Sequence, residues 1–208
     1  MSATTQQQHG GSAVPAIAGP ALMLIGMLMF SLNDAMGKWL VASYSVGQVI
    51  LIRSVAALVI LAPFLWRAGL QPIIKAEKPL LQAARVFFST FEVFAFYFAV
   101  MYLPLADVMT YWLAAPIYVA AASPFLLGEK VGWRRWTAIG IGFVGVIIAL
   151  NPSSAMFTAP AIISILGTIA FAFMMISGRS LRATPDKTLV FFQLMGALIA
   201  GVIFAPLD

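Results

Sequence analysis

The sequence predicts an all-α integral membrane protein of about seven transmembrane helices, and three observations lead there. Of its 208 residues, 62% are hydrophobic and 9% charged, with a mean hydropathy of +0.99. Soluble domains carry about 25% charged residues, so this chain has too little charge to clothe a water-facing surface. Seven apolar runs recur at lengths suited to a bilayer core of ~30 Å, which about 20 helical residues cross. Finally, the lysines and arginines between those runs fall only in alternate connections.

Residues 1–15 (MSATTQQQHGGSAVP) are small, polar and Gly-containing and read as a disordered cytoplasmic tail. They lack the basic n-region of a cleaved signal peptide, and the run from Ile17 to Leu40 is longer than a signal h-region, so it reads as a retained span. Six further runs follow: Val46–Trp66, Pro79–Met101, Leu105–Leu127, Trp133–Leu150, Ala159–Gly178 and Leu189–Pro206. The fifth span, Trp133–Leu150, is the shortest. Connections are short and rich in Gly, Pro, Ser and Asn, as antiparallel neighbours require. Because the spans are apolar on nearly all sides, periodicity does not tell which face is inside.

Orientation follows from the basic residues. Arg67, Lys75, Lys78, Lys130, Arg134, Arg135, Arg179, Arg182 and Lys187 all belong to one side, nine residues against none around Ser43–Gly47, Tyr102–Pro104 and Asn151–Thr158. The nine-residue side reads as cytoplasmic, with the N-terminus inside. The net charge of +5 is therefore a topology signal rather than a nucleic-acid footprint, and no nucleic acid is expected as partner. The expected partners are the lipid bilayer and a small-molecule substrate, with a homodimer left open.

An internal repeat emerges at a shift of 141 positions, which lays Gly26 on Gly167, Phe30 on Phe171, Gly37 on Gly178, Lys38 on Arg179 and Leu40 on Leu181. At 140, Arg53 meets Gln193 and Ala57-Leu58 meets Ala197-Leu198. Five spans separate the copies, an odd number, so the second is inserted upside down. Inverted repeats of this kind mark secondary transporters that rock one repeat against the other around a midplane site. The expected organisation is the tail 1–15, a first five-helix repeat over 16–152, and the first two helices of a second repeat over 153–208.

Ionisable groups inside spans are costly, about 2.5–3.5 kcal/mol each at mid-helix, and so are functional candidates. They are Asp34, Lys38, Arg53, Arg85 and Glu92, with Asp107 just inside the fourth span. Asp34 and Lys38 are four apart and Arg85 and Glu92 seven apart, so each pair shares a helix face. One reading has Lys38 and Arg85 snorkel to the headgroups while Asp34 caps or pairs locally. The functional reading sets the group around a polar cavity: Glu92 or Asp34 takes a proton, and Arg53 or Lys38 holds an anionic part of the substrate. Tyr111 and Trp112 follow Asp107 by one turn and are the aromatics expected to line that cavity, and Asn33 is a candidate to hydrogen-bond substrate. Other aromatics, Phe87 to Phe98 and Tyr118, read as lipid-facing bulk.

Gly140-Ile-Gly142-Phe-Val-Gly145 fits a nucleotide-binding pattern that needs a strand before it and a helix after it. Inside an apolar span it reads as close helix packing instead. Pro116 and Pro124 are expected kinks in the fourth span. With no cysteine and only His9, in the tail, neither a Cys- or His-based metal site nor a catalytic triad is expected. No cofactor is implied, and an enzyme is not expected.

The run LPLADVMTYWLAAPIYVAAASPFLLGEKVGWRRWTAIGIGFVGVIIAL resembles the EamA branch of the drug/metabolite transporter superfamily. The matching features are Pro104, Ala106-Asp107, Pro116, Leu127-Gly128-Glu129-Lys130, Trp136, and Gly140 with Gly145; Arg53 also fits the family's first repeat. SLNDAMGKWL, Ser31 to Leu40, further resembles the subset that includes riboflavin and S-adenosylmethionine carriers. The resemblance implies ten helices in two inverted five-helix repeats in the bacterial inner membrane. Against that pattern the chain reads as C-terminally truncated after its seventh helix. The function it implies is secondary transport of a small metabolite or drug-like compound, outward and coupled to an ion or proton gradient. The alternative is a truncated non-transporting remnant or a seven-helix membrane sensor.

Overall fold

A computed structural model describes residues 18–68, 78–128, 132–150 and 158–206, and every regular element among them is a helix. In chain order these are α1 (Ala18–Leu40), α2 (Val46–Ala68), α3 (Pro79–Tyr102), α4 (Leu105–Leu113), α5 (Ala115–Leu127), α6 (Trp133–Leu150), α7 (Ala159–Ser180) and α8 (Asp186–Phe204). The polar tail, Lys75, Glu129 and Lys130 lie outside the described residues. Six segments are long and apolar enough to cross a bilayer: α1, α2, α3, α4 joined with α5, α7 and α8. Helix α6 has 18 residues, with its side chains described only to residue 148, and is not counted among the six. The chain is an all-α, multi-pass integral membrane protein.

Element ends follow local chemistry. Helix α8 begins at Asp186, three residues before the apolar run, because an acidic first turn suits the positive end of a helix. Helix α5 ends on Gly128 at φ 66, the left-handed conformation that a residue without Cβ adopts freely. The fourth span is one run in sequence but two helices in space. Pro116 has no N–H to donate to the carbonyl of Trp112, and its ring crowds that turn, so the helix breaks at Ala114. Pro124 stays inside α5, and the glycines of the nucleotide-like pattern lie within α6.

The chain divides into two packing units, residues 1–36 and Gly37–Asp208. The first is most of α1, a helix whose apolar side chains, Leu22, Met23 and Leu24 among them, are largely exposed. In the second unit α3 packs on both α7 and α8, α2 packs on α8, α5 packs on α7, and α6 packs mainly on α4 and α5. Large apolar residues remain exposed around the outside, as expected of helices solvated by lipid.

Small residues set the closest contacts, which in lipid are made by tight packing rather than by a hydrophobic drive. Helices α2 and α8 run antiparallel: a Cβ on Gly47 would lie 2.6 Å from the Ala205 nitrogen, and one on Gly201 would lie 2.9 Å from Leu51 Cα. The α7 face toward its neighbours carries Ser164 and Thr168, both fully buried. Their hydroxyls donate to Pro160 O at 2.9 Å and Ser164 O at 2.8 Å, so they satisfy themselves within their own helix. The main apolar cluster joins Val41, Val49 and Ile50 to Phe96, Tyr97 and Val100 of α3 and to Val108 of α4.

Candidate functional site

Helix α3 positions most of the polar chemistry of the second unit. Glu92 is half-buried, and the Trp112 indole N–H donates to its Oε1 at 2.9 Å. The break at Ala114 ends α4 just after Trp112, which also meets the Phe96 ring edge-on at 5.3 Å. Gly167 of α7 completes the arrangement: a Cβ there would lie 2.7 Å from Ala95 Cβ and 2.9 Å from the Trp112 ring. Sequence reasoning placed Glu92 and Trp112 in the same list, and the fold brings them into contact. Gly167 entered that reading only as the repeat match of Gly26, not as a packing position.

One turn onward, Arg53 of α2 donates from Nη1 to the Tyr97 hydroxyl at 3.0 Å, with its guanidinium carbon 5.8 Å from the ring centre. Tyr97 is 1% exposed, and its ring fills the space that Gly37 leaves open. Lys38 reaches the C-terminal end of α3, where its ammonium donates to Val100 O and, at 3.0 Å, to Leu103 O. The next N–H along the helix for Val100 O would come from residue 104, which is proline and has none. Lys38 supplies the missing donor.

The remaining candidates are dispersed. Arg85 turns to α8, donating to Leu189 O and to Gln193 Oε1, both at 3.4 Å, so it and Glu92 face different neighbours despite their seven-residue spacing. Asp107 is exposed in the first turn of α4, where its charge suits the helix end. Tyr111 is buried on the same helix. In the first unit, the Asn33 amide donates to Asp34 Oδ1 at 3.3 Å. Within the second unit Lys38 and Arg53 engage α3, Arg85 engages α8 and Glu92 engages α4, while Asp107 stays exposed.

A cavity of about 590 Å³ lies instead on another face of α3, bounded by α2, α7 and α8. Phe91, Phe94, Phe98 and Tyr102 line it along α3, with Ser45, Ile163 and Phe204 opposite. Phe94 and Phe204 are 5.0 Å apart between ring centres, and Phe98 and Tyr102 are 5.1 Å apart. Neither Tyr111 nor Trp112 lines this space. The aromatics read from sequence as lipid-facing bulk thus include Phe91, Phe94 and Phe98 in the lining of this cavity. With Tyr102, their spacing at i, i+3, i+7 and i+11 is the signal, hidden because the intervening positions are apolar too. Among the described residues no cluster of His, Cys, Asp and Glu could hold a metal ion.

The long apolar helices define a polytopic membrane protein, and an aromatic cleft of about 590 Å³ opens between four of them. Its sequence places it further: residues 17–151 match the EamA-like transporter family, and the chain belongs to that family. It is 21% identical over 190 residues to the S-adenosylmethionine uptake transporter of Rickettsia felis, covering 91% of this chain and 64% of that protein. It is 22% identical to the riboflavin transporter of Vibrio cholerae, over 86% of this chain and 62% of the relative. The pseudopaline exporter CntI of Pseudomonas aeruginosa is 22% identical over 91% of this chain and 66% of its own length. The chain thus spans somewhat less than two thirds of the length of the first of these relatives. No solved structure matches it.

Proposed function

We propose that the chain forms part of a secondary transporter for a small, ring-bearing metabolite, working by alternating access in the bacterial inner membrane. The observation that carries this is the aromatic cavity of about 590 Å³ at the α2–α8 contact. Those two helices are one of the two pairs the internal repeat equates, and they run antiparallel, as inversion requires. Residues 16–152 supply the first repeat and 153–208 the start of the second, with the N-terminus cytoplasmic. The ring lining suits a solute that carries an aromatic or heteroaromatic ring system, as do S-adenosylmethionine and riboflavin, named for two relatives.

Outward movement coupled to a proton gradient is the second part of the proposal. Glu92 is the proton-carrying carboxylate, and Trp112 is the donor that holds its charged form. The test is flux of S-adenosylmethionine and riboflavin in inverted membrane vesicles carrying the chain, with and without an imposed proton gradient. Phe94→Ala and Phe98→Ala should raise KM, and Glu92→Gln should abolish the response to the gradient. Gradient-driven flux that persists in Glu92→Gln excludes Glu92, and flux untouched by both phenylalanine variants excludes the cavity.

A further inference from the structure

A second polar group lies along the seam between α3 and α8, away from the aromatic cavity. Gln82 is 4% exposed, yet neither its amide nitrogen nor its amide oxygen has a hydrogen-bond partner. One turn along the helix, the Arg85 Nε is buried and unpartnered, and further on the Thr90 hydroxyl is too. The two hydrogen bonds that Arg85 does make, to Leu189 O and Gln193 Oε1, are each 3.4 Å, long for a guanidinium, whose bonds to anions are about 2.7–2.9 Å. Both acceptors are neutral, and among the described residues no carboxylate pairs with Arg85. A mostly apolar cavity of about 300 Å³, lined by Gln82, Val86, Phe192 and Gly196 but not by Arg85, opens on the same seam, while the Arg85 Nε lies toward Gly178 of α7.

The charge balance of this corner is incomplete. A guanidinium in the membrane region without a counter-charge is unfavourable, and Arg85 lies in the second turn of α3, whose N-terminal end is already positive. An amide with both atoms unsatisfied adds to the cost. A small anionic oxygen group supplies the counter-charge and accepts from Arg85 Nε and Gln82 Nε2, leaving the Gln82 Oε1 to a separate donor. We propose that Arg85 and Gln82, with Gln193 steadying the guanidinium, form a binding site for a carboxylate or phosphate group. That group could belong to a free solute or to a lipid headgroup, since both present the same oxygens. This site goes beyond the transport reading and does not depend on it.

The test reads binding without flux. The protein is reconstituted in phosphatidylcholine nanodiscs and its thermal unfolding midpoint followed with added inorganic phosphate or benzoate. A parallel sample uses nanodiscs containing phosphatidylglycerol. The expected result is a rise in midpoint with at least one of these anions, weakened about tenfold in apparent affinity in Arg85→Gln and partly retained in Arg85→Lys, which keeps charge but loses the fork. Dependence on Arg85 with the soluble anions assigns a free solute, and dependence only with phosphatidylglycerol assigns a headgroup. Should Arg85→Gln fail to fold, Gln82→Leu serves: it should unfold at a higher temperature without anion, having lost its orphan amide, yet gain less from the anion than wild type. An anion effect of the same size in either variant, or no effect of any of the three anions on wild type, overturns the site.

Discussion

Replacing Lys38 by methionine separates an architectural role from a substrate-binding one. The ammonium donates to Val100 O and Leu103 O at the end of α3, and Pro104 leaves the first of these without its usual partner. Hydrogen bonds from a charged donor contribute about 1.5–3 kcal/mol each. Methionine has nearly the same shape and removes both, and it also relieves about 2.5–3.5 kcal/mol of cost for holding a charge inside the bilayer. The net expectation is a loss of up to about 3.5 kcal/mol in stability, centred on about 1.5, with Lys38→Arg recovering part of it. The assay is unfolding of the purified protein in mixed micelles, read by helix content, alongside solute flux per folded molecule. A Lys38→Met protein as stable as wild type but unable to move solute would refute the capping role and return the amine to the substrate.

Two further expectations follow from the packing and the charge pattern. Gly201→Leu should destabilise by about 1–3 kcal/mol or more, because the new Cβ meets the backbone of Leu51 rather than a side chain that can yield. Gly140→Leu is the control, since nothing lies within 4 Å of a Cβ there; unfolding midpoints that move equally would refute the close α2–α8 contact. The chain has no cysteine, so single-cysteine labelling needs no background removal. An impermeant maleimide should label Tyr44→Cys in intact cells and Ala183→Cys only after permeabilisation, both positions being exposed; the reverse pattern would invert the proposed orientation.

Helix positions were legible because the membrane demands long apolar runs: Val46, Pro79, Leu105, Trp133 and Ala159 start helices where the runs start. Pro116 announced a distortion, though not that it would end α4 and begin α5 at Ala114. Side-chain partnerships were much less legible. Arg85 and Glu92 share a spacing that suggests a pair, but the fold offers Gln193 to one and Trp112 to the other. Those partners lie 108 and 20 residues away, and spans apolar on every side carry no periodicity to say which faces meet. The cavity lining was hidden for the same reason. Lys38 is the instructive case: its acceptor vacancy is written in Pro104, but only the folded chain brings position 38 to position 100.

That closure has a consequence for how the protein is made. Lys38 finds its acceptors 62 and 65 residues later in the chain, and synthesis at about 5–20 residues per second separates the two ends by some 3–13 s. For that interval the ammonium at the end of α1 has no protein acceptor at the end of α3, and it must stay near water or headgroups. The two hydrogen bonds of Lys38 can form only once the third helix is complete, so this contact closes late in synthesis.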